Sequence, residues 1–138
     1  MIRVVLDTNV LVSALLTPFG NEAQVLDAVG KGGIAPCFSS EILAEYSGVL
    51  ARPKFGFRQG EVLQLIALLR RSGLLFEPTP LPGASPDPGD DSFIACAFAS
   101  KAKFIVTGNR RHFPAEACGE TKVVSARELL AIRWQLKI

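Results

Sequence analysis

The strongest constraint in this sequence is a repeated alternation. Short apolar, β-branched runs at residues 2–6 (IRVVL), 34–38 (IAPCF), 104–107 (FIVT) and 122–124 (KVV) are too short for helices. Residues 74–77 have the same character more weakly. Between them lie helically spaced segments. One covers residues 10–16 and stops near Pro18, and another covers 22–29 and ends at Gly30. A third covers 41–50 behind the Ser39-Ser40 cap. Residues 61–71 set Val62, Leu65, Ile66 and Leu69 on one stripe. Residues 90–99 follow, and a capping box at Ser125 and Glu128 opens a last helix to about Arg133. Strands alternating with helices predict an α/β fold: a three-layer α/β/α arrangement with a parallel sheet of about four to five strands. Residues 1–138 are expected to form a single domain. The proline-rich stretch 78–89 is read as a loop rather than a linker, because neither flank is large enough to stand alone.

Composition narrows the function classes. Hydrophobic residues make up 49% of the 138, enough for a substantial core. No apolar run approaches the ~18 residues needed to span a bilayer, and the opening residues lack the basic and cleavage regions of a secretory signal. Three cysteines with no close pair argue against a disulfide framework or a zinc knuckle. A reducing cytoplasm is the expected location. A single histidine, His112, cannot build a histidine-rich centre, so a metal would rely on oxygen ligands. A net charge of +2 excludes a polybasic coat, although cations gather after residue 70.

Ligands of open parallel sheets bind beyond the carboxyl ends of the strands. Asp7 closes the first strand, and Thr107-Gly108-Asn109 closes a later one. In SSEILAEYSGVL, Glu45 borders the stripe of Ile42, Tyr46 and Val49, whereas Glu41 sits in the first turn and complements the helix dipole. In DDSFIACAFA, Asp91 shares a face with Ile94, Ala95 and Phe98, and Asp90 reads as the cap; a helix-start role would also account for both. Gathering Asp7, Glu45 and Asp91 raises at least one pKa unless a cation sits among them, and Mg²⁺ suits a few carboxylates. Asn9 either orients a carboxylate or caps the following helix. Arg110 and Arg111, like Lys54 and Arg58, either hold a phosphate backbone or are plain surface. Phe55 and Phe57 stack bases, receive a partner helix or fill core. His112 reads as a loop residue above a packed Phe113, with general-base chemistry as the alternative, and Trp134 as core or interface. Phosphoryl transfer through an aspartyl intermediate is disfavoured, since Asn9 stands where a second aspartate belongs.

The stretches VVLDTNVLVSALL, FSSEILAEYSGVLARPKF, PDPGDDSFIACAFASKAKFIVTGNRRHFP and VVSARELL resemble the PIN-domain family, and more closely its branch of toxins from toxin–antitoxin systems. The resemblance implies a parallel-sheet α/β/α fold and an endoribonuclease dependent on Mg²⁺ or Mn²⁺ that cleaves single-stranded or structured RNA. It places metal ligands at Asp7, Glu45 and Asp91, matches Thr8 and Asn9 to the opening triplet, and matches Thr107 to the small hydroxyl residue before the last acidic position. That last position is Asn109 here, where the family often has aspartate; Asn109 then offers an oxygen without charge, and Asp87 or Asp90 is the candidate replacement. A protein antitoxin and a homodimer are the implied partners. The alternative is a non-catalytic RNA- or partner-binding module with a degenerate metal site.

Overall fold

A computed structural model describes residues 1–79 and 83–138. The strands are β1 (Ile2–Leu6), β2 (Ile34–Phe38), β3 (Leu74–Leu75), β4 (Phe104–Val106) and β5 (Lys122–Val124). The helices are α1 (Thr8–Leu16), α2 (Asn21–Gly30), α3 (Ser40–Leu50), α4 (Gln59–Ser72), α5 (Asp91–Ser100), α6 (Ala126–Ala131) and α7 (Arg133–Leu136). Short 3₁₀ turns lie at Pro53–Phe55, Pro88–Asp90, Arg110–His112 and Ala115–Ala117.

All five strands pair in parallel, in the order β3-β2-β1-β4-β5. Successive residues of a strand face opposite sides of the sheet. Val4, Val5 and Leu6 are each 0% exposed, so both faces of the central strand are covered. Right-handed crossovers account for this: the chain moves one way from β1 to β3 and returns through α5 to β4, which puts α5 on the opposite face from the earlier helices. The reversal leaves a switch point between β1 and β4, and their carboxyl ends deliver Asp7 and Thr107 side by side.

Local chemistry fixes the connections. Ser39 accepts the Ile42 N–H at 3.1 Å and starts α3 directly after β2. Ser125 and Glu128 exchange hydrogen bonds of 3.1 and 2.8 Å to start α6. At Gly73 a side chain has no room: a Cβ would lie 2.3 Å from the Pro36 carbonyl oxygen, so a glycine is needed where α4 turns into β3.

Some boundaries differ from the sequence expectation. α1 begins at Thr8 because Asp7, with extended backbone, already occupies the N-cap position. β3 is only two residues long, since beyond Leu75 the Phe76 N–H alone continues toward β2. The last helix breaks at Ile132, and Trp134 on α7 is 86% exposed rather than core. Among the described residues, no helix is long and apolar enough to cross a membrane.

Candidate metal centre

Asp7 leaves β1 buried, with a carboxylate oxygen accepting the Thr107 hydroxyl at 2.7 Å. Thr107 is itself buried and its Oγ1 accepts the Asn109 N–H at 3.0 Å, so one side chain holds both Asp7 and the loop after β4. Asn9 ties the same two strand ends together by accepting the Gly108 N–H at 3.2 Å. Its partner is loop backbone, not a carboxylate, and it does not cap α1. Thr8 donates its hydroxyl to Glu45 of α3. The next residue, Tyr46, is buried and donates to the Leu6 carbonyl at 2.5 Å, locking α3 onto the end of β1.

The second half of the centre is built on loops. Asp90 is 8% exposed, and its Oδ2 lies 2.7 Å from Nδ1 of His112. Ligand atoms of Asp87, Asp90 and His112 all fall within 4.8 Å of one another. The Ser85 hydroxyl donates to the His112 carbonyl and accepts the Asp87 N–H at 3.2 Å, which ties the proline-rich loop to the turn after β4. Phe113, buried beside His112, meets Phe93 edge-on at 6.3 Å and fixes that turn against α5. Nε2 of His112 faces the Asn109 amide nitrogen at 3.2 Å.

The carboxylates act on one another. Burial raises the pKa of Asp7 above its usual range, against the lowering effect of the Thr107 hydrogen bond. Burial likewise raises Glu45, against its bond from Thr8, and the charges of Asp7 and Asp87 add to the rise. Asp90 is pushed up to about 6, first by burial and then by Asp7 and Asp87. Among the described residues, no lysine or arginine forms an ion pair with Asp7, Glu45, Asp87 or Asp90. The one basic group against them, among the described residues, is the His112 imidazole beside Asp90.

Asp91 does not join them. Its two oxygens accept the Ser85 N–H at 2.6 Å and the Gly83 N–H at 2.9 Å, so it braces the proline-rich loop. Both aspartates lie at helical spacing from buried residues, Asp90 from Phe93 and Ile94 and Asp91 from Ile94 and Ala95, but Asp90 ends the 3₁₀ turn before α5. Of the two adjacent aspartates, Asp90 is the buried one, and Asp91 is half-buried with both oxygens engaged by the loop. Arg110 is also engaged elsewhere, in an exposed ion pair with Glu128 of α6, while Arg111 is exposed. His112 sits in a loop turn, as expected, with its ring against Asp90.

The PIN-domain family model matches residues 3–111, from β1 to the turn that follows β4. The chain belongs to the PIN-domain family. An uncharacterized protein of Methanocaldococcus jannaschii is 30% identical over 112 residues, covering 79% of this chain and 72% of that protein. PIN domains are generally nucleases that use divalent metals, and the acidic groups of this PIN domain lie at the sheet edge where such a centre is expected. The donor set also fits on its own chemistry. Oxygen ligands from Asp7, Glu45 and Asp90 suit Mg²⁺ or Mn²⁺, and a dication offsets the repulsion that raises their pKa values.

Proposed function

We propose that this PIN domain is a metal-dependent endoribonuclease of the cytoplasm, with Asp7, Glu45 and Asp90 holding Mg²⁺ or Mn²⁺. One observation carries the reading: buried Asp7 after β1, half-buried Glu45 on α3 and buried Asp90 before α5 lie near enough to raise one another's pKa values, with no lysine or arginine ion pair to them among the described residues. A bound dication supplies charge that acidifies water and stabilises a crowded phosphorus. The chain's own residues hold the donors. Thr107 fixes the rotamer of Asp7, Thr8 fixes that of Glu45, and His112 fixes that of Asp90. Asn109 carries no charge, so it contributes by hydrogen bonding.

Single-stranded RNA is the substrate class that the surface fits best. Phe55 and Phe57 stack at 5.4 Å with their rings 12° apart, and the Lys54 ammonium lies 5.1 Å from the centre of the Phe55 ring. Aromatic faces beside cations suit unpaired bases and their backbone. Arg111 supplies a phosphate contact, and Arg110 supplies another once its exposed pair with Glu128 opens, a pair worth at most about 1 kcal/mol. The toxin assignment, with its protein antitoxin and homodimer, rests on the resemblance of the four sequence stretches to that branch.

Sequencing of RNA 5′ ends after controlled expression tests the activity. Wild type produces new ends in the presence of Mn²⁺, and Asp7→Asn, folded by circular dichroism, produces at least about a thousandfold fewer. Equal cleavage by Asp7→Asn removes Asp7 from the mechanism. Co-expression of the neighbouring reading frame tests the toxin role: rescue of growth supports it, and toxicity unaffected by any neighbour argues against it.

A further inference from the structure

The metal-dependent reading above accounts for the carboxylates but leaves an imidazole in their midst unexplained. His112 is placed with care. Its carbonyl is held by Ser85, its neighbour Phe113 is packed on Phe93, and its two ring nitrogens face Asp90 and Asn109 at 2.7 and 3.2 Å. With Asp87 and Asp90 it forms a group whose ligand atoms are mutually within 4.8 Å. We propose that His112 is a nitrogen ligand of the metal centre, that Asn109 positions its imidazole, and that the pair selects Mn²⁺ over Mg²⁺.

The chemistry follows from the two nitrogens. Without a cation, Nδ1–H donates to the Asp90 carboxylate and Nε2 accepts from the Asn109 amide. A cation bound between Nδ1 and the carboxylates takes the place of that proton, and the ring proton is then carried on Nε2. A metal-ligating histidine needs an acceptor for its second N–H. The Asn109 amide has both a donor and an acceptor, so one side chain serves the empty and the loaded state; an aspartate there would serve the empty one only with a doubly protonated imidazole. This gives position 109 a use other than direct ligation. Imidazole suits transition ions, whereas Mg²⁺ takes oxygen ligands and keeps its waters, so a mixed nitrogen and oxygen set favours Mn²⁺.

His112 is the chain's single histidine, so labelling histidine with ¹⁵N labels this site alone in protein without a tag. Pulsed electron paramagnetic resonance of bound Mn²⁺ is expected to show ¹⁴N coupling in unlabelled protein, replaced by ¹⁵N coupling after labelling, with no substitution needed. In His112→Gln the coupling disappears, and competition titration shows the preference for Mn²⁺ over Mg²⁺ falling about tenfold. Mn²⁺ that binds wild type, is lost in Asp7→Asn and shows no histidine coupling overturns the role of His112 while leaving the carboxylate centre standing. No Mn²⁺ binding at all overturns both.

Discussion

The centre has two halves built in different ways. Asp7, Thr8, Glu45 and Thr107 sit at the ends of a buried strand pair and on a long helix, where Tyr46 and the β1–β4 register fix their backbone. Asp87, Asp90 and His112 sit on 3₁₀ turns and a proline-rich loop, fixed by side-chain hydrogen bonds from Asp91 and Ser85. The first half is positioned by the fold and the second by a polar brace laid over it. A brace can be cut without disturbing the sheet, so the two halves should respond differently to substitution.

The sharpest break of that comparison is the pair of adjacent aspartates. Asp90→Asn removes an inward carboxylate and is expected to lower Mn²⁺ affinity by more than about a hundredfold, beyond what loss of an orienting partner costs. Asp91→Ala removes only the brace. It is expected to lower unfolding free energy by about 1–3 kcal/mol while weakening Mn²⁺ binding less than tenfold, measured by urea denaturation and calorimetry. If Asp91→Ala abolishes binding and Asp90→Asn does not, Asp91 and not Asp90 is the carboxylate that holds the metal.

Next in size is the effect of pH on the metal-free protein. Asp90 has its pKa raised from 3.8 to about 6 in the fold, and Asp7 and Glu45 move the same way. A raised carboxylate pKa means that folding favours the protonated form. The stability it contributes is complete below about pH 4 and is lost as pH rises through about 6. In EDTA, wild type should therefore lose stability from pH 4.5 to 7.5 relative to Asp90→Asn, as followed by thermal melting. Added Mn²⁺ reverses the trend, because the cation binds the deprotonated groups. Parallel pH profiles for the two proteins would contradict this.

Smaller again is the effect expected in the fold-positioned half. Thr107→Val retains the shape of the side chain but removes the hydroxyl that holds Asp7 and Asn109. Mn²⁺ affinity should fall about tenfold, with an unchanged fold by circular dichroism. An unchanged affinity would show that Asp7 is placed by β1 alone.

The same division explains what was legible in the sequence. IRVVLD announces a buried strand ending in a carboxylate, and SSEILAEY shows its own cap and stripe, so β1, α3, Asp7 and Glu45 could be found from pattern alone. The segment DDSFIACAFAS is apolar nearly all round, so it carries little information on its phase, and spacing alone does not choose between the adjacent aspartates. A signal was present: Pro88 inside DPGD starts a 3₁₀ turn, which rotates Asp90 inward before the α-helix begins. His112 was legible only as part of a loop, because its partners lie 22 residues away at Asp90 and across the turn at Asn109. Contacts made through a loop leave no periodicity to read.

The central claim is that the gathered carboxylates exist to hold a dication. Calorimetric titration of the metal-free protein with Mn²⁺, repeated on Asp7→Asn and Asp90→Asn, tests it most directly. Wild type is predicted to bind with a dissociation constant below about a millimolar, and either substitution to remove the heat of binding. Wild type that takes up no Mn²⁺, or variants that bind it as wild type does, would contradict the account.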